Sequence, residues 1–108
     1  MNKMLWFSRH KMTDVQQVEL KRIYGKVEIT QVDKTIKSAY ELEKEIGEND
    51  IIGIVAPVDL KAEFLEIAGK KPVIACKTKR ILTENGKTSF SFDGWYQIIK
   101  IDIVTVEL

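Results

Sequence analysis

The chain of 108 residues holds one cysteine and one histidine. One thiol cannot close an internal disulfide, which fits a reducing compartment, and a cytoplasmic location is expected. One histidine and one cysteine cannot furnish a zinc shell, so no metal site is expected. The apolar runs fall far short of the roughly 20 residues needed to cross a bilayer. Ser8-Arg9-His10 breaks the first apolar stretch before it takes the form of a signal peptide. No membrane partner is therefore expected. Excess charge is missing too. With 17 Lys and Arg against 16 Asp and Glu, the net charge is +1. No global field draws such a chain to DNA, and any nucleic-acid ligand would need a local basic patch. Neither a G-x-G-x-x-G fingerprint nor a P-loop occurs, which argues against NAD, FAD or any other cofactor. No nucleophile elbow surrounds a serine, so covalent serine chemistry is not expected. Cys76 closes the apolar run Val73-Ile74-Ala75-Cys76 and reads as a core thiol.

What remains is the patterning of an ordinary globular domain, and at this length residues 1–108 form a single one. Gly25, Gly47 and Gly69 each follow an amphipathic stretch and precede a β-branched run, as helix C′ residues do. The chain then reads as successive β-α units. Strands are expected at residues 4–8, 27–32, 51–56 and 73–76. Thr13-Asp14-Val15-Gln16 is a capping-box pattern opening a helix over about 13–24, with Val15, Val18 and Ile23 on its inner face. Ser38-Ala39-Tyr40-Glu41 repeats the signature for a second helix, with Ala39, Leu42 and Ile46 inward. Asp59 is expected to cap a third helix that buries Leu60, Phe64 and Ile67. Beyond Cys76, Glu84-Asn85-Gly86-Lys87 signals a two-residue hairpin and Asp93-Gly94 a second turn. Phe90 and Phe92 give the strand between them one dry face, and residues 96–108 read as a long last strand. The fold class is therefore α/β. A Rossmann-like three-layer sandwich is expected, with parallel strands in the order 2-1-3-4 and an antiparallel C-terminal hairpin extension.

In an open α/β sheet, ligands collect at the carboxyl ends of the strands where the strand order reverses. Here that places Ser8-Arg9-His10-Lys11-Met12-Thr13 at the crevice, just before a capped helix. Arg9 and Lys11 suit phosphate oxygens, Arg as a planar fork and Lys as a point charge. His10 is the one side chain suited to proton transfer near neutral pH. Ser8 and Thr13 offer hydroxyls. Asp33 stands where a dinucleotide fold would hold a ribose. Lys77, Lys79 and Arg80, expected in a loop after the fourth strand, could complete a phosphate clamp, or could be the protective cations of a strand edge.

Two resemblances meet at these residues. Arg9-His10-Lys11-Met12-Thr13 resembles the Arg-His-Gly opening of the histidine phosphatases but lacks its glycine. The second histidine those enzymes use is also absent. Phe7-Ser8-Arg9-His10-Lys11-Met12-Thr13, with Gln16 or Gln17, is similar to the Phe-Ser-x-His-x-Leu-Thr-x-x-Gln opening of small CRISPR-associated proteins with CARF-like folds. That resemblance implies an antiviral-defence setting and a homodimer with a cyclic oligoadenylate lying across its two-fold axis. It also implies a ring nuclease, in which a ribose 2′-hydroxyl attacks the neighbouring phosphate without metal. His10 would transfer the proton, and Arg9, Lys11 and Lys79 would balance the developing charge. The same cations would equally serve a sensor or sponge that never cuts. A structural or partner-binding domain with no small ligand is the third reading.

Overall fold

The computed structural model describes residues 2–100. Strand β1 is Asn2–Phe7, helix α1 Asp14–Tyr24, and strand β2 Val27–Val32. A 3-10 turn, Ala39–Leu42, runs into α2, Glu43–Glu48. Then come β3 at Ile51–Ile54, α3 at Val58–Ala68, β4 at Val73–Leu82 and β5 at Thr88–Gln97. The fold is α/β, built on one mixed five-stranded sheet. Hydrogen-bonded neighbours run β2-β1-β3-β4-β5. The pairs β1·β2, β1·β3 and β3·β4 are parallel, and β4·β5 is antiparallel.

Parallel strands need cover on both faces, and the side chains of β1 are buried on both. Met4 and Trp6 point to the α1 side, where they meet Leu20, Ile51 and Ile74. Leu5 and Phe7 point the other way. There they meet Ala39, Leu42 and Ile46 from the second helical segment and Phe64 and Ala68 from α3. Both capping boxes form as read. Thr13 Oγ1 accepts from the Gln16 N–H while Gln16 Oε1 accepts from the Thr13 N–H. Ser38 and Glu41 do the same at the second helical segment. Glu63 of α3 reinforces that start, accepting from Ser38 Oγ at 3.0 Å and from the Ala39 N–H at 3.1 Å.

Several local expectations give way to tertiary structure. Val15 and Val18 face outward, 64% and 70% exposed, and Ile23 is exposed too. The inward stripe of α1 is Gln16, Leu20 and Tyr24, spaced four apart and half-buried or buried. Gly47 lies inside α2, whose C-cap is Asn49. Pro57, not Asp59, is the N-cap of α3. β4 does not end at Cys76. It continues to Leu82, so Lys77, Lys79 and Arg80 lie in a strand paired with β5. The hairpin loop is longer than two residues. The Gly86 N–H donates to Thr83 O and the Thr83 N–H to Lys87 O, with Gly86 at φ +73°. Asn85-Gly86 thus completes a type I turn followed by a left-handed glycine. Asp93-Gly94 is not a turn but a bulge. Between the pairs Cys76–Trp95 and Thr78–Phe92, two residues of β5 oppose one of β4. Tyr96 is the penultimate residue of β5 rather than the start of a new strand. The rest of that expected strand, from residue 101 on, lies outside the described residues. Phe90, expected on a dry face, is 69% exposed, because beyond the bulge no helix covers the β4–β5 ribbon. Among the described residues no helix is long and apolar enough to cross a membrane.

Gly53, in the middle of β3, is where packing is tightest. A Cβ there would collide with Met4 Cε and come within 2.9 Å of Trp6 Cε3. Gly47 has nothing within 4 Å of the equivalent position. Gly53→Ala is expected to cost about 1–3 kcal/mol through overpacking against Met4 and the indole. Gly47→Ala is expected to add about 0.5–1 kcal/mol by removing helix-interior glycine. Urea unfolding monitored by tryptophan fluorescence measures both, and equal effects would contradict this assignment of the core.

Candidate functional site

The order β2-β1-β3 means that the chain leaves β1 to one side and later crosses to the other. The carboxyl end of β1 is therefore flanked by two loops travelling in opposite directions. Backbone bonds fix that end in place. The Ser8 N–H donates to Val32 O of β2, and the Val55 N–H, just past β3, donates to Phe7 O. The Gln31 amide donates to Ser8 O at 2.8 Å. Ser8 is 5% exposed, and its hydroxyl accepts from the His10 N–H at 3.1 Å. This short turn brings Arg9 and His10 to the surface directly above the strand. Trp6, inside the sheet, holds the turn from below. Its Nε1 donates to His10 O at 2.9 Å.

Two cavities open on either side of this turn, and Ser8 and His10 line both. The first, of about 340 Å³, has an apolar floor of Phe7, Val32, Ile36 and Leu60. Arg9, Lys34 and Thr35 stand around it, with Arg9 Nη2 donating to Thr35 Oγ1 at 2.7 Å. The second, of about 390 Å³, runs over Trp6, Ala75 and Cys76 towards Tyr96. Its polar residues include Lys11, Thr13, Gln16, Lys61 and Thr78. Among the described residues, four cations line the pair of cavities and no carboxylate does. In a chain with nearly equal numbers of acids and bases, that separation makes the rim locally electropositive.

The candidates read from sequence divide accordingly. Ser8, Arg9, His10, Lys11 and Thr13 come together at the two cavities. Thr13 is committed in part to its cap, and Asp14 adds an acidic group to the first turn of α1. Asp33 is exposed and lines neither cavity, although its neighbours Val32, Lys34 and Thr35 line the first. Lys77, Lys79 and Arg80 line neither, because the extension of β4 carries them out along the ribbon. Lys61 is the cation that sequence reading passed over, whereas Lys34 was expected beside the crevice, in the loop Asp33-Lys34-Thr35, without a role. Lys34 carried a visible signal, its place in the loop after the second strand. Lys61 carried none, being one lysine on a charged helix, brought to the rim by the crossover into α3.

Among the described residues no group of three His, Cys, Asp or Glu side chains is positioned to hold a metal. Cys76 is half-buried, and its Sγ accepts from Gln16 Nε2 at 3.4 Å. Burial pushes its pKa up to about 11, with the Gln16 bond opposing weakly. The thiol therefore stays protonated at neutral pH and is not a nucleophile. Raising an acid's pKa by about two units cuts its thiolate fraction about 100-fold below the usual value. Alkylation by iodoacetamide at pH 8, followed by mass spectrometry, should be slower than for a free thiol by about that factor. Reaction at the free-thiol rate would contradict the burial.

No protein-family model matches the chain, nor does any curated protein or solved structure.

Proposed function

We propose that the chain binds a cyclic oligoadenylate across the two rim cavities and opens it by metal-independent cleavage, with His10 as the proton-transferring group. The fold is read as Rossmann-like, with its ligand at the carboxyl ends of the strands where their order reverses. One observation carries the proposal. Ser8 and His10 stand on the wall between two cavities that each have their own cations. A ligand made of repeating nucleotide units suits such a divided site. One base settles on the apolar floor of the first cavity, and the phosphodiester crosses the wall. The next unit lies over the second cavity. Arg9 and Lys34 on one side and Lys11 and Lys61 on the other balance the phosphates. The similarity of Phe7–Thr13 to the ring-nuclease opening supports the choice of ligand class.

Cleavage in this reading needs no protein nucleophile. The ribose 2′-oxygen attacks the adjacent phosphorus, the P–O5′ bond breaks, and a 2′,3′-cyclic phosphate forms. The proton lost from the 2′-hydroxyl is matched by one gained at the departing 5′-oxygen, and in this reading His10 moves it. The cations supply the charge stabilisation that such a step demands. Ser8 is a positioning residue, because its hydroxyl shapes the turn that presents His10.

Purified protein incubated with cyclic tetra-adenylate in EDTA is expected to melt at a higher temperature and to yield linear products by mass spectrometry. His10→Ala should lower cleavage by about 100-fold or more while leaving affinity nearly unchanged. Lys34→Ala and Lys61→Ala should each weaken binding about tenfold, the loss of one charge-assisted contact. Lys79→Ala, out on the ribbon, should leave binding as it was. A raised melting temperature with intact ligand would make the chain a sponge or sensor and remove His10 from catalysis. No shift with rings of any size would overturn the proposal.

A further inference from the structure

A second surface, which borders the rim at the start of α1, carries the opposite chemistry. Between α1 and β5 lies a groove of about 510 Å³ lined by Asp14, Val15, Val18, Glu19, Phe92, Asp93 and Gly94. Three of these are acids and none is a cation, and Glu19 is bonded to Arg22 at the groove's edge. Val15 and Val18, the outward valines of α1, supply its apolar wall. The ribbon formed by the outer halves of β4 and β5 continues from this groove. Cys76 and Trp95 belong to the core on the α1 side, and β4 alternates without interruption past them. Thr78, Arg80 and Leu82 therefore share the α1 side. Residues paired across the strands point the same way, so Phe92, Phe90 and Thr88 join them. The edge-to-face contact of Phe92 with Trp95, centroids 5.7 Å apart, agrees with this assignment. Leu82 and Phe90 are 74% and 69% exposed. Of the ribbon's cations Arg80 lies on this side, while Lys77, opposite the Asp93-Gly94 bulge, and Lys79 alternate to the other.

We propose that this face is the interface with a second copy of the chain. One face thus presents an acidic, valine-walled groove beside an arm that carries one cation, Arg80, between the exposed Leu82 and Phe90. Each half is the complement of the other. A two-fold axis lays the arm of each copy in the groove of its partner, closing both contacts at once without leaving a free end to propagate. Leu82 and Phe90 cover Val15, Val18 and Phe92 of the partner subunit, and Arg80 faces the acids along that groove. Val15, Val18, Leu82 and Phe90, which the single chain leaves in water, are then covered. Charge reversal at either half would be felt by both, which gives the contact its specificity for self.

Sedimentation of the full chain over a dilution series from the high-micromolar range tests this without any nucleotide, so its outcome is independent of the rim reading. The expected species has twice the 12.4 kDa chain mass. Val18→Glu, Phe90→Ser and Arg80→Glu each alter an exposed side chain, and circular dichroism and melting should confirm that all three variants fold. Each is expected to raise the dissociation constant at least about tenfold. Val58→Glu, an exposed position on α3, should leave the mass unchanged. A monomeric wild type would overturn the proposal. So would a dimer that all three variants leave intact.

Discussion

The packing of Trp6 across Gly53 ties the sheet, the rim turn and the outer ribbon together. Trp6 and Gly53 are register partners on adjacent strands, and the indole together with Met4 Cε occupies the space that any side chain at Gly53 would need. From that position it makes two further contacts. Its Nε1 donates to the carbonyl of His10, so the rim turn is anchored to the core. Its ring meets Trp95 edge-to-face at 5.6 Å, and Trp95 Nε1 donates to Gln16 O of α1. The first contact fixes the candidate catalytic residue. The second joins β5 to α1, and so fixes the root of the ribbon and one wall of the acidic groove. A single large residue thus couples the rim to the neighbouring groove, and its fit depends on the absence of a side chain at one position.

Charge is partitioned over this scaffold in a way that net charge conceals. The rim cavities gather Arg9, Lys11, Lys34 and Lys61 with no carboxylate lining, while the groove gathers Asp14, Glu19 and Asp93 with no cation lining. Their proximity matters, because Thr13 lines the second cavity and Asp14 the groove. The boundary therefore falls between adjacent residues at the start of α1. Asp14 sits where the helix dipole already favours an acid, so it costs nothing locally. An anion arriving at the rim is steered by the four cations, not by the helix start, whose donors are partly taken up by the capping box.

The parallel half of the fold was legible because its signals are local. Thr13 with Gln16 and Ser38 with Glu41 cap their own helices, and β-branched runs between the helices have nowhere to lie but in a covered sheet. Sequence and structure part where one signal serves two structures. Asp93-Gly94 promotes a turn, yet the same left-handed glycine at φ +106° accommodates a bulge in a continuing strand. Val15 and Val18 looked inward because valine is apolar. The stripe that packs is Gln16, Leu20 and Tyr24, selected by the sheet rather than by hydropathy. Five of the rim residues were found because they follow one strand in sequence. Lys61 was not, because only the crossover from β3 into α3 brings it there.

The extension of β4 changes how the second basic cluster is understood. As a loop after a short strand, Lys77, Lys79 and Arg80 would have faced the rim. As a ribbon they cannot, since pairing with β5 carries them outward and alternation divides them, Arg80 to the α1 side and Lys77 and Lys79 to the other. Cations on a strand that projects from the core are a common defence against edge-to-edge aggregation. That account suits Lys77 and Lys79. It does not explain Leu82 and Phe90, which share the side of Arg80 and undo such a defence. Large apolar residues persist there most simply if the ribbon is covered, and an acid-lined, valine-walled groove on an identical chain is a cover of matching chemistry. Arg80, carried away from the rim by the extension of β4, thus lies with Leu82 and Phe90 on the side that argues for an interface.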